Sequence, residues 1–115
     1  MTTSIFSRMK ENAYHEIDIT VVNSLGVAIA LTDVGVIKWA MALDENNPTT
    51  LLEKSYPASG ILLTNAGAGV FTVVISGVDT SGLGGGTYYQ ECKYQMYGQE
   101  VPTVKGTIKI DPTII

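Results

Sequence analysis

The chain has 115 residues, enough for one hydrophobic core and too few for two ordinary domains. Its 45% apolar content argues against disorder, and a formal charge of -4 with the seven Lys and Arg residues scattered argues against nonspecific attraction to nucleic acid or an anionic membrane surface. A single cysteine, Cys92, excludes an intramolecular disulfide and a cysteine zinc cluster, so stability must come from burial.

In chain order, the first 14 residues do not alternate cleanly and carry Ile5, Phe6 and Met9. They are expected to form an arm over residues 1–14, laid on a neighbouring chain or added to its sheet, ahead of a β-sandwich over residues 15–115. The same segment lacks the basic-then-apolar order of a signal peptide, so the expectation is a protein made in a cytoplasm. From there, period-two alternation marks strands with one buried face. Ile17, Ile19 and Val21 alternate with Glu16, Asp18 and Thr20; after the Asn23–Gly26 turn, Val27, Ile29 and Leu31 repeat the pattern, which reads as a hairpin. Ile37, Trp39, Met41 and Leu43 share a face of the next strand, closed by a turn, DENNP, whose side chains hydrogen-bond their own backbone.

Leu51–Tyr56 and Ile61–Thr64 read as short strands split by Pro57 and Gly60, and Phe71, Val73 and Ile75 alternate with Thr72 and Val74. The charge-free stretch between Lys54 and Asp79 is interrupted by Pro57, Gly60, Gly67 and Gly69, which excludes a membrane helix. Thr87–Tyr97 sends Tyr88, Cys92, Tyr94 and Met96 to one side and Tyr89, Glu91, Lys93, Gln95 and Tyr97 to the other, with Gln90 out of character. Val104, Ile108 and Ile110 form the last run, and beyond a short turn near Leu83 or Leu51 no helical period is sustained. About seven to nine short strands with regular turn signals predict an all-β, immunoglobulin-like antiparallel sandwich.

The glycine cluster in "SGLGGGTYYQECKY" tests for a phosphate loop. A Walker loop needs Gly-Lys-Ser/Thr, and Gly86 is followed by Thr87 with no lysine near; a dinucleotide fingerprint needs a helix where this chain has a tyrosine-rich strand. The cluster is expected to be a tight connection into a strand, with Gly86-Thr87-Tyr88 matching the corner where a tyrosine hydroxyl ties back to the preceding turn. Trp39 matches the central tryptophan of such folds. His15 is the only histidine, too few nitrogen ligands for a zinc site, and as the base of a triad or the partner of Cys92 it would need a spatial neighbour that spacing does not supply. Asp44-Glu45-Asn46-Asn47 lacks the glycine and terminal glutamate of a calcium loop and reads as a solvated turn. No catalytic residue, metal site or cofactor is expected. Tyr89 and Tyr97 would give the late strand an aromatic outer face of the kind favoured at interfaces.

The runs "ITVVNSLGVAIALTDVGVIKWAM", "LLEKS", "GILLTNAGAGVFTVVISGVDTSGLGGGTYYQECKY" and "VKGTIKIDPTI" resemble the small immunoglobulin-like domains of tailed-bacteriophage structural proteins, over about residues 17 to 115. The shared pattern falls on Leu31, Thr32, Trp39, Lys54, Gly69 to Phe71, Asp79, Thr80, Leu83, Gly86, Tyr88, Tyr89, Gly106, Ile108, Ile110, Pro112 and Thr113. Trp39, Phe71, Gly86 and Tyr88 are its fold-defining positions. Related domains head upper baseplate proteins that continue into a long second region; a chain closing at Ile115 fits a small virion component better. The resemblance implies a noncatalytic protein of the phage particle, located in the virion and repeated as a homo-oligomer or symmetric array. Its partners would be capsid, portal or tail proteins, with no nucleic acid and no membrane. The expected contacts are Ile5, Phe6, Met9, Tyr89 and Tyr97. The alternative is a module that binds a host-surface glycan or receptor through its tyrosines.

Overall fold

The computed structural model describes residues 3–10, 13–22, 25–44, 46–81, 83–97 and 99–111. Eight strands, β1 (Thr3–Lys10), β2 (His15–Thr20), β3 (Val34–Asp44), β4 (Asn47–Tyr56), β5 (Ile61–Asn65), β6 (Val70–Ile75), β7 (Gly86–Met96) and β8 (Gln99–Asp111), form two sheets. A five-stranded sheet runs β1-β8-β7-β3-β4 and a three-stranded sheet runs β2-β6-β5. A 3₁₀ turn (Ala66–Ala68) and a one-turn helix, α1 (Gly77–Thr80), complete the described elements.

Alternation produces the core. Ile17 and Ile19 of β2 stand opposite Val73 and Phe71 of β6, and all four are buried. From the larger sheet Ile37, Trp39, Met41, Ile108 and Ile110 meet them, so both sheets close over one apolar cluster. Burying each such side chain contributes about 1.5–3 kcal/mol, which replaces the disulfide the chain cannot make.

Three expectations are corrected. The first concerns the arm: Thr3–Lys10 pairs along its whole length with β8 of its own chain, in parallel, from Thr3 opposite Val104 to Lys10 opposite Asp111. The sandwich is therefore not purely antiparallel. Arg8 clamps this edge strand through Nε and Nη2 to the two carboxylate oxygens of Asp111, at 2.7 and 3.2 Å. The second concerns Val27–Leu31, which adds no strand to either sheet, the expected hairpin being reduced to one antiparallel bridge between Val22 and Ala28. This segment crosses between sheets, and its backbone is satisfied piecemeal: the Ile29 N–H donates to Val21 and the Leu31 N–H to Ala66. Leu31 is buried by this route while Val27 stays exposed. The third concerns Leu43, which is exposed although it alternates in phase with Trp39 and Met41; it lies at the end of β3, where the pairing with β4 shifts register on both sides of Ala42.

Lys54 joins the larger sheet to α1. Its stem lies over Gly60, where a Cβ would meet it, and its Nζ donates to Asp79 Oδ2 at 2.7 Å. The same oxygen accepts the Ser76 N–H at 2.8 Å. Partial burial works to raise the Asp79 pKa, but the hydrogen bonds from Lys54 and Ser76 and the lysine charge outweigh it and hold the carboxyl below its ordinary 3.8. The folded state thus favours the ionised form. That contribution is complete above the unfolded value and is lost as pH falls through the folded one. Chemical denaturation between about pH 6 and about pH 3 is expected to show stability falling at the acid end, with a shallower fall in Asp79→Asn. Equal slopes would show that Asp79 plays no part.

Candidate functional site

The alternation that sends Trp39, Met41, Tyr88 and Cys92 inward sends Lys38, Ala40, Tyr89, Glu91 and Lys93 to the outer face of the larger sheet. With Ala42, and with Thr50 and Glu53 from β4, they line an open depression of about 310 Å³. Its floor is low because Ala40 and Ala42 are small, and its walls carry charge. The Tyr89 hydroxyl donates to Glu91 Oε2 at 2.9 Å, which fixes the ring at one side.

Strand register arranges the charges in rows across the sheet. Lys93 of β7 stands opposite Lys38 of β3. In the next outward row Glu91 is opposite Ala40, and Ala40 is opposite Glu53. A further row holds Tyr89, Ala42 and Thr50.

The expected contact residues do not form one patch. Tyr89 belongs to the depression. Tyr97 lies eight residues further on, beyond the end of β7 and so about 25 Å along the strand direction. It is highly exposed, has a left-handed backbone (φ 55°), and donates its hydroxyl to Asp33 at 2.9 Å. That hydrogen bond, with the Asp33 charge, raises its pKa. Met9 is corrected outright: it is 3% exposed, packed in the core of its own chain, because the parallel register sets it beside buried Ile110. The backbones of Ile5 and Phe6 pair with Gly106 and Thr107, and their side chains lie outside the described residues.

Of the fold-defining positions, Trp39 and Phe71 are fully buried, and Gly86 opens β7 opposite Ile110. The glycine cluster therefore hands over to a strand. The Tyr88 hydroxyl lies 2.6 Å from the Leu83 carbonyl and 3.0 Å from that of Gly84, pinning the turn before β7. Tyr88→Phe removes only that hydroxyl. It is expected to cost about 1–2 kcal/mol and to lower the melting temperature by about 5–10 °C. An unchanged melt would show that the tie contributes nothing.

The reactive candidates are placed apart in the topology. His15 opens β2 of the smaller sheet opposite Ile75, whereas Cys92 sits in β7 of the larger sheet opposite Trp39. Burial, and then the neighbouring Glu91 charge, push the Cys92 thiol up to about 12, so it is protonated at neutral pH. Among the described residues no three His, Cys, Asp or Glu side chains gather where they could hold a metal ion. In the DENNP turn Asp44 Oδ1 accepts the Asn46 N–H at 2.8 Å, the local closure expected of it. Sequence reasoning passed over Gln90 and the lysine row. The parity of β7 places Gln90 with the inward residues, and the cross-strand meeting of Lys38 and Lys93 needs the register.

Compared with protein-family models and with curated proteins, the chain matches none.

Proposed function

We propose that this protein is a noncatalytic structural component of a tailed-phage particle, a capsid decoration or an adaptor at the head-tail junction or tail, acting through protein-protein contacts on an immunoglobulin-like scaffold. The reading rests on the resemblance of residues 17 to 115 to such domains. The observation that supports it is where the matched positions fall: Trp39, Phe71, Ile108 and Ile110 in the core and Tyr88 at the turn into β7. The orders β2-β6-β5 and β3-β7-β8 support this reading if they are taken as strands B-E-D and C-F-G of such a sandwich, with the tryptophan on C and the tyrosine at the start of F. In antibody domains the second disulfide cysteine lies two residues after that tyrosine. Here the position is Gln90, fully buried, accepting the Trp39 Nε1–H at 3.0 Å, so a hydrogen bond meets the tryptophan where a disulfide otherwise would.

The test is mass spectrometry of purified particles separated into heads and tails, with copy number scaled to the major capsid protein. High copy on heads assigns decoration; a few copies on tails assign an adaptor. Absence from both overturns the reading. A second reading, recognition of a host-surface glycan, is favoured by the depression that sets Tyr89 beside Glu91 and opposite Glu53 and Thr50. Silence across a broad glycan panel would remove it.

A further inference from the structure

We propose that the outer face of the larger sheet is a contact between two copies of this chain, related by a two-fold axis running across the strands between the lysine row and the glutamate row. The proposal goes beyond the particle reading and stands whether or not that reading holds.

The argument starts from register. Outward rows two residues apart lie about 6.6 Å from one another along the strands. One row carries Lys93 and Lys38; its neighbour carries Lys105, Glu91, Ala40 and Glu53, with Lys105 of β8 opposite Glu91. A rotation about an axis midway between them, in the plane of the interface, turns one sheet over onto the other and exchanges the rows. Each strand then faces its own counterpart. Lys93 stands over Glu91 of the partner subunit, and Lys38 stands over Ala40 of the partner subunit, one strand away from acidic side chains on both sides. The same operation carries Tyr89 over Gln95 of the partner subunit and Ala42 over Val36 of the partner subunit. An axis along the strands between β7 and β3 would set Lys93 over Lys38 of the partner subunit, so the lysine row favours the axis across the strands, which is self-complementary as an isologous contact must be.

Two further observations agree. The floor of Ala40 and Ala42 leaves room for side chains of a facing sheet at the usual spacing of about 10 Å. β3, β4, β7 and β8 are 11, 10, 11 and 13 residues long, and four such strands present about 700 Å² of projected face, close to the roughly 800 Å² per partner of a standard interface.

The full chain is examined by sedimentation velocity from about 1 to about 200 μM, with a dimer of roughly micromolar dissociation constant expected. The double reversals K38E/K93E and E53K/E91K, at outward positions, are each expected to weaken dimerisation at least about tenfold, and an equimolar mixture of the two to recover it as a heterodimer. A variant that merely misfolds cannot be rescued by its complement. As a measurement without variants, carbodiimide coupling of mixed ¹⁴N and ¹⁵N chains is expected to yield Lys93–Glu91 peptide pairs of mixed label. A wild-type chain that stays monomeric throughout, a dimer untouched by either reversal, a mixture that recovers nothing, or cross-links of single label only would each overturn the proposal.

Discussion

Trp39→Ala is expected to remove about 4–5 kcal/mol of stability and to lower the melting temperature by about 20 °C. Two losses combine. The indole is fully buried, so truncation leaves a cavity that the rigid β3 and β7 backbones close only in part. It also strips Gln90 Oε1 of its donor, while Gln90 Nε2 still donates to the Thr107 carbonyl at 2.7 Å and holds the amide in place. Loss of the hydrogen bond between Trp39 and Gln90 costs about 0.5–1.5 kcal/mol. Since domains of this size are stable by only about 5–15 kcal/mol, the variant should sit near the edge of folding. The two losses separate in a double-mutant cycle with Gln90→Leu. Trp39→Phe alone keeps most of the volume and loses mainly the hydrogen bond to Gln90, whereas Trp39→Phe with Gln90→Leu should recover much of that difference. Additive losses in denaturant titrations would show that the pair acts as two independent side chains.

Gly69→Ala is the second large expectation, at about 3 kcal/mol, and it acts through backbone. Gly69 closes the 3₁₀ turn with φ 74°, a left-handed angle that costs an alanine about 1–2 kcal/mol. An added Cβ would also stand 2.5 Å from the Ile29 carbonyl oxygen and 3.0 Å from that of Val21. Neither oxygen can swing aside as a side chain would, because Val21 accepts the Ile29 N–H and donates its own N–H to Gly69. The crossing from β2 to β3 is therefore locked to the turn before β6 at this residue. Thermal melts of Gly69→Ala against Gly26→Ala are the sharpest check. Gly26 has the same sign of φ but open space around it, so it should show only the backbone part. Equal shifts at the two sites would mean that the close approach at Gly69 is unimportant.

Much of this fold was legible because a sheet with one buried face writes its geometry at period two. β2, β3, β6 and β7 follow from the alternation of Ile17 and Ile19, Ile37 and Trp39, Phe71 and Val73, and Tyr88 and Cys92. What escaped is what alternation does not encode. β1 is held by β8, with each register partner 101 residues away, a long-range pairing that no local pattern encodes. Val27–Leu31 alternates and keeps a trace of the expected hairpin in the Val22–Ala28 bridge, yet Leu31 bonds to the 3₁₀ turn, a tertiary choice without local signature. Leu43 obeys the pattern but lies next to the end of β3, where it is exposed. Gln90 broke the apolar pattern and so looked misplaced, although its phase in β7 was correct and its partner was the tryptophan on the neighbouring strand. The outer face was half legible: the side on which Tyr89 lies could be read from one strand, but the charge rows exist only once β3, β4 and β7 are in register.

The parallel pairing of β1 with β8 also decides how the molecule meets tension. Because the strands run the same way, Thr3 and Asp111 lie at opposite ends of one ladder, about 23 Å apart at strand rise. A pull on those two points loads its hydrogen bonds together, in shear, instead of peeling them one by one. Single-molecule stretching between the ends is expected to show a higher rupture force than stretching across β3 and β4, whose antiparallel hairpin opens like a zip.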